Sequence, residues 1–354
     1  MIEAVNLTKV FGDFMAVNDV SLTVKEGQVL ALLGHNGAGK TTTTRMLSAI
    51  LAPTKGYAKI AGYDTVTQAL EVRRSIGHLT ELPGLYSRMR IEEYLDFFAE
   101  VFNVPKETRR SRTEEMMRQF DLWETRKLKI GEYSKGMRQK TALIRALIHD
   151  PKVLFLDEPT SAMDPYSSKL VRDSISELKK QNRTVVLCTH NLYEAEELAD
   201  HIAIIRKGEI LIEGSPDDLK RRLLGAPSFT VKLAQYQQPD NLPTRLKELV
   251  EVSDSGVDWF TYRCEEPEKY NPHLLKILVE SGYQVITISE TPRSLESVYL
   301  KIAGTPATAN QNRDESEQTL SKLKEKRKGW FRNRSKEEAN KTQETQAEQE
   351  EAVR

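Results

Sequence analysis

The chain has 354 residues, with Lys plus Arg and Asp plus Glu each at 52, so its formal net charge is zero. A length of that order accommodates two domains, and the charge balance excludes a global basic field of the kind that gathers nucleic acid, leaving only local patches for an anionic surface. The start, Met1-Ile2-Glu3-Ala4-Val5-Asn6, lacks the basic and apolar regions of a secretory signal, and no apolar run approaches the ~18 residues needed to span a bilayer. A membrane role would therefore require a separate partner chain. Cys188 and Cys264 lie in different regions and fit no metal spacing, which predicts two reduced core residues.

Ile2 to Leu7 and Val20 to Val24 predict an antiparallel β edge, and Gly27 turns the chain into Val29-Leu30-Ala31-Leu32-Leu33, a buried parallel strand. Directly after it, Gly34-His35-Asn36-Gly37-Ala38-Gly39-Lys40-Thr41 matches the phosphate-binding pattern G-x-x-x-x-G-K-[ST]. The glycines let backbone N–H groups close around phosphate oxygens, and the helix continuing through Thr42 presents its positive end to the anion. Lys40 should reach the β- and γ-phosphates, and Thr41 offers a hydroxyl to Mg²⁺.

From Pro83 to about Pro151 the pattern turns helical, through Ile91 to Phe98 and Glu114 to Phe120. Alternation then resumes with strand Val153 to Leu156, helix Ser168 to Lys180, strand Thr184 to Cys188, helix Leu192 to Ala199 and strand Ile202 to Ile205. Such alternation predicts an α/β fold, a parallel sheet covered on both faces. After Gly225-Ala226-Pro227 a small α+β unit is expected, with strands Ser228 to Leu233, Trp259 to Arg263 and Tyr283 to Ile288. Its helices are expected at Thr244 to Val250, His273 to Glu280 and Arg293 to Ile302. Beyond Gly304 aliphatic residues nearly vanish, and such a composition cannot offset the entropy of ordering. The expected division is thus 1–225, with a helical subdomain at about 84–150, then 228–304 and a disordered tail over 305–354.

Val153-Leu154-Phe155-Leu156 delivers Asp157 and Glu158 at a strand's carboxyl end, where sheets of this kind keep their ligands. Adjacent acids there have separable tasks: Asp157 to hold Mg²⁺, directly or through water, and Glu158 to orient the attacking water and take its proton.

Over residues 1 to 225 these motifs together resemble the ATP-binding subunit of ABC transporters, a P-loop ATPase with a mixed sheet core, an antiparallel β edge and a helical subdomain. The resemblance implies ATP and Mg²⁺ as ligands. It implies a signature segment at Tyr133-Ser134-Lys135-Gly136-Met137, where the family more often has L-S-G-G-Q, so Tyr133, Lys135 and Met137 depart from the pattern. Ser134 and Gly136 would then face the γ-phosphate held by a second, head-to-tail subunit, most simply another copy of the chain. His190 corresponds to the switch histidine, Ser161 to Asp164 to the loop that bridges the two sites, and Phe11 to the aromatic that stacks on adenine, though a β-edge aromatic suits that position as well. Glu81 stands where the family has a glutamine that senses Mg²⁺ and faces the membrane subunit; a carboxylate also ligates a hard cation.

The segment Leu85 to Arg90, the Leu-Pro-Gly-Leu-Tyr wording and the appended unit are similar to ABC-2-type exporters, including bacterial drug-resistance and sodium-export ATPases. That implies separate membrane permease subunits and a place at the cytoplasmic face of the membrane. The competing class, soluble ABC ATPases working on nucleic acid or ribosomes, usually carries two cassettes or a long coiled-coil insertion, and this chain has one of each motif. In the tail, Lys322 to Arg334 combines basic residues with Trp330 and Phe331, a composition suited to an anionic membrane surface, while the acidic stretch Glu337 to Glu351 opposes it.

Overall fold

The computed structural model describes residues 1–161, 163–234 and 242–303. The expected tail with its basic cluster, and Ala162 of the bridging loop, lie outside those residues. The chain forms two compact units, the first being Met1–Ser215 and the second starting at Pro216.

The first unit contains two sheets. An antiparallel sheet has the order β2-β1-β4-β5, from β1 (Ile2–Phe11), β2 (Phe14–Val24), β4 (Lys55–Ile60) and β5 (Tyr63–Asp64). The central sheet has the order β10-β9-β3-β8-β7-β6, from β3 (Val29–Leu33), β6 (Ile76–Leu79), β7 (Val153–Asp157), β8 (Thr184–Thr189), β9 (His201–Arg206) and β10 (Glu209–Gly214). All neighbours in it run parallel except β10, which returns antiparallel to β9. Sequence reading located β3, β7, β8 and β9 and missed β4, β6 and β10. For β4 the reason is visible in burial: it buries only Ala58 and Ile60 of its six residues, so its apolar signal is weak.

Every residue of β3, β7 and β8 is buried, because helices and strands cover both faces. Leu30, Leu32, Phe155, Val186 and Cys188 pack on one side with β1, β2 and residues of α1 (Lys40–Leu47) and α2 (Ala69–Ser75). Val29, Leu154, Leu156, Val185 and Leu187 pack on the other. There they meet α3 (Ile91–Val101), α4 (Lys106–Gln119), α5 (Lys135–Leu147), α6 (Pro165–Lys180) and α7 (Leu192–Leu198). The helices α3, α4 and α5 form the expected helical segment between β6 and β7.

In the second unit, α8 (Pro216–Leu224) packs against α11 (Leu295–Ala303), and the Lys301 ammonium donates to the Leu223 carbonyl at 2.6 Å. The division thus falls at Ser215, ahead of the residue 225 expected from sequence, because this highly charged helix, which buries Leu219 and Leu223, packs against α11 of the second unit. Between α8 and α11 run β11 (Ser228–Leu233), α9 (Thr244–Leu249), β12 (Glu251–Ser255), β13 (Trp259–Arg263), α10 (Pro267–Glu280) and β14 (Val285–Glu290). The antiparallel order β12-β13-β11-β14 is the split βαβ, ferredoxin-like arrangement. Phe229, Val231, Phe260 and Tyr262 alternate inward to meet Leu246, Leu274 and Leu278. Cys188 and Cys264 are both buried and free.

His78 on β6 sits edge-on to Phe155, with ring centroids 6.1 Å apart. Burial, aided by Arg145 and Arg45, pulls its imidazole down to about 4. The unfolded chain takes up this proton near pH 6.5 and the folded chain does not, so the stability that neutral His78 provides is present above pH 6.5 and lost as the pH falls toward 4. Replacing His78 with Phe should remove roughly 2 kcal/mol of that acid-dependent loss, read from urea unfolding of both proteins at pH 7 and pH 4.5.

Candidate functional site

Parallel pairing sets the site. Leu33 at the end of β3 is level with Thr189 at the end of β8, and Asp157 at the end of β7 is level with Cys188. Three segments therefore leave the sheet at one edge: the loop Gly34 to Gly39, the acids Asp157 and Glu158, and the pair Thr189 and His190.

The loop enters α1 at Lys40, with Gly39 as N-cap at φ +110°. A Cβ on Gly39 would lie 2.9 Å from the Ala16 carbonyl oxygen, and one on Gly34 would lie 2.5 Å from that of Ile205, so neither position has room for a side chain. Gly208, in the turn from β9 to β10, ties the loop down: its N–H donates to the Ala38 carbonyl at 2.9 Å, and its own carbonyl accepts from Asn18 N–H at 2.9 Å. This stitch to β2 escaped sequence reading, although Lys207-Gly208 between two aliphatic runs is a hairpin signal. His35, Asn36 and Gly37 are exposed at the loop's crest, while Gly34, Ala38 and Lys40 are buried. The Lys40 ammonium spans the loop, donating to the Gly34 carbonyl at 2.6 Å and the His35 carbonyl at 3.2 Å. Thr41 and Thr42 follow on the first turn of α1.

The Thr41 hydroxyl donates to Asp157 Oδ2 at 3.0 Å. Burial raises the Asp157 carboxyl above the usual range, and the neighbouring Glu158 and Glu81 carboxylates add to it against the opposing effects of Thr41 and Lys40. Glu81, exposed on the loop after β6, is thereby within electrostatic reach of Asp157. Glu158 leaves the strand at φ +50°, left-handed backbone that a residue with a side chain adopts at a cost of about 1 kcal/mol or more. Two bonds hold it there: its N–H donates to the Cys188 carbonyl at 2.8 Å, and its carbonyl accepts from Gln139 Nε2 at 3.3 Å. Glu158 Oε1 lies 2.8 Å from His190 Nδ1. A carboxylate accepts, so the imidazole proton belongs on Nδ1, leaving Nε2 on a ring that is 63% exposed beside a Glu158 side chain only 10% exposed.

A second group gathers away from the loop. Ser134 caps α5, its hydroxyl accepting from Met137 N–H at 3.2 Å. Asp164 caps α6, its carboxylate accepting from Ser167 N–H at 2.9 Å, a bond that holds this carboxyl below the usual range. Gly136 faces Met163, and Lys140, whose ammonium is weakened by burial, is near enough to Asp164 to feel its charge. Among the described residues no hydrogen bond or ion pair joins Ser134, Gly136 or Asp164 to the phosphate loop within the chain. Gln139, on α5, links the groups by reaching the Glu158 carbonyl, which also accepts from Ser161 N–H at 3.1 Å. Phe11 ends β1 at a hairpin tip opposite Phe14, half exposed, with the Lys9 ammonium 5.2 Å from its ring centre.

Residues 17–161 match the family model described as ABC transporter. The chain is 40% identical over 205 residues to the ABC transporter ATP-binding protein NatA of Bacillus subtilis (strain 168), covering 58% of this chain and 83% of that protein. It is 34% identical to the bacitracin transport ATP-binding protein BcrA of Bacillus licheniformis, covering 86% of this chain and 97% of BcrA. It is 39% identical to the daunorubicin resistance ATP-binding protein DrrA3 of Streptomyces coeruleorubidus, covering 84% and 93%. Among solved structures, an ATP-binding subunit of an ABC transporter superposes with a TM-score of 0.60 at 28% identity, over 64% of this chain and 94% of that one. The dimeric cassette MJ0796 in a post-hydrolysis state, bound to ADP and Pi, superposes at 0.57 with 26% identity, over 61% and 98%. This chain therefore belongs to the ATP-binding proteins of ABC transporters and is an ATP-binding, ATP-hydrolysing subunit of such a system.

Proposed function

We propose that two such subunits, most simply two copies of this chain, close head to tail around two ATP molecules and drive export through separate membrane permeases. In each site one subunit supplies the phosphate loop Gly34 to Thr42, with Asp157, Glu158 and His190, while Ser134, Gly136 and Asp164 come from the other. Phe11 stacks on adenine. The observation that carries this reading is the 2.8 Å contact of Glu158 with His190, at the sheet edge that also holds Lys40 and Thr41. Separation of the two groups within one chain supports a site completed by a second subunit.

Mg²⁺ fits the residues present. Thr41 and Asp157 converge at 3.0 Å, and the Asp157 carboxyl carries unfavourable burial together with two acidic neighbours, a burden that a cation relieves. Among the described residues no group of three or more His, Cys, Asp or Glu is arranged for a metal. That suits Mg²⁺, which keeps waters and takes phosphate oxygens as its remaining ligands. Bound there with Thr41, Asp157 and Glu81, it would neutralise charge on the β- and γ-phosphate oxygens. Lys40 moves its ammonium from the loop carbonyls to the same oxygens. Glu158 orients the attacking water and takes its proton, and the exposed His190 Nε2 faces the γ-phosphate.

Export follows the relatives whose likeness runs through both units, one of them a bacitracin transport protein and another a daunorubicin resistance protein. The subunit sits at the cytoplasmic face through its permease; no described helix is long and apolar enough to cross a membrane. Purification from its native cells in mild detergent should bring down a polytopic membrane protein; salt-sensitive RNA or DNA in its place would point instead to the nucleic-acid class. Glu158→Gln should lower kcat by about 10² or more while ATP binding persists, since a general base commonly contributes that much; steady-state ATPase assays with nucleotide binding alongside check it. Glu81→Gln removes one negative charge near the cation and should raise the Mg²⁺ concentration for half-maximal ATPase about fivefold; an unchanged Mg²⁺ titration would assign Glu81 no part in metal binding.

A further inference from the structure

Glu194, on the first turn of α7, is 1% exposed. Burying a carboxyl group is unfavourable unless it is well partnered, and burial indeed raises this carboxyl above the usual range, against the pull of Thr189, Thr160 and Arg172. The cap of α7 does not require it. Asn191 already fills that role, its side-chain oxygen accepting from the N–H groups of Tyr193 at 3.1 Å and Glu194 at 3.2 Å. Arg172, whose charge acts on Glu194, does not require it either, because its Nε pairs with Glu197 at 2.8 Å.

What Glu194 does join is two loops. Its Oε1 accepts from the Thr160 hydroxyl at 2.9 Å, and the Thr189 hydroxyl lies beside it. Thr160 is two residues beyond Glu158, and Thr189 directly precedes His190. The segment Glu158-Pro159-Thr160, the Thr160 to Glu194 bond, the turn of α7 back to Asn191 and the His190 to Glu158 contact together form a closed ring. Opening it at Thr160 would free the loop after β7 to move relative to α7, and with it the distance between Glu158 and His190.

We propose that Glu194 is a positioning residue that, through the Thr160 hydroxyl, fixes Glu158 and His190 in contact for ATP hydrolysis. The inference rests on the roles given above to Glu158 and His190. ATPase kinetics of the full-length chain test it with Glu194→Ala, Glu194→Gln, Thr160→Val, the Glu194→Ala/Thr160→Val pair and Glu158→Gln as reference. Glu194→Ala and Thr160→Val should each lower kcat about tenfold with KM for ATP within about twofold, the signature of a loss confined to the transition state. The pair should be no worse than Glu194→Ala alone, as expected for two groups acting through one bond. Glu194→Gln keeps an acceptor at Oε1 and should recover kcat to within about threefold of the unmodified chain. Wild-type kcat in Thr160→Val, or a Glu194→Gln as impaired as Glu194→Ala, would overturn the proposal; Thr160→Val decides the matter should Glu194→Ala fail to fold. Undiminished turnover in Glu158→Gln would instead remove the reading on which the proposal stands.

Discussion

The structure of the site depends on the parallel register of three strands. β3, β7 and β8 are aligned so that Leu33, Asp157 and Thr189 end within a residue of one another. Each strand is wholly buried, so a shift in register would move apolar side chains between two differently composed faces as well as breaking the ladder. The phosphate loop, the acids and His190 are thus held at one edge by the packing of apolar residues. Asp157 and Glu158, which repel one another, are kept together at the buried end of β7, and Glu81 adds its charge from the exposed loop after β6. That is the preorganisation a phosphoryl-transfer site needs, since most of its work is positioning and charge compensation.

On the proposed head-to-tail arrangement, the same framework separates the chain's contributions to two nucleotides. Lys40, Thr41, Asp157, Glu158 and His190 belong to one edge, and the capped starts of α5 and α6 with Ser134 and Asp164 form another group. Gln139 spans them, donating from the signature helix to the Glu158 backbone. In a head-to-tail dimer that bond runs from the helix serving one ATP to the base serving the other. Glu194 performs the analogous task within one site, joining the loops after β7 and β8. Both side chains are buried, and each bonds a loop of the site through one polar atom, Gln139 Nε2 to the Glu158 carbonyl and Glu194 Oε1 to the Thr160 hydroxyl.

Much of this was legible from sequence where an apolar run ends on a motif. Val29 to Leu33 before the glycines and Val153 to Leu156 before two acids announced both strand and chemistry. Short or half-exposed strands left no such mark. β6 is only Ile76 to Leu79 and includes Gly77 and His78, and in β12 the segment Glu251-Val252-Ser253-Asp254-Ser255 is polar because it lies at a sheet edge. Contacts between distant positions were also beyond reach: Gln139 meets Glu158 across 19 residues and Thr160 meets Glu194 across 34. Nothing in the local pattern around a glutamine or glutamate within a helix says which loop will fold over it. The end of the first unit at Ser215 was hidden for a similar reason, since α8 finds its partner in α11, far along the chain.

The central claim is that ATP is an interface ligand, bound by the phosphate loop of one subunit and the Ser134 helix of the next. The direct measurement is the mass and nucleotide content of the Glu158→Gln chain in solution, by light scattering on a sizing column with and without ATP. The account predicts a species of twice the chain mass carrying two ATP when nucleotide is present, and reversion to the single-chain mass when Ser134 is also replaced by a bulky acid. A single-chain mass at saturating ATP with one nucleotide bound to each chain, or an ATP-bound dimer indifferent to Ser134, would contradict it.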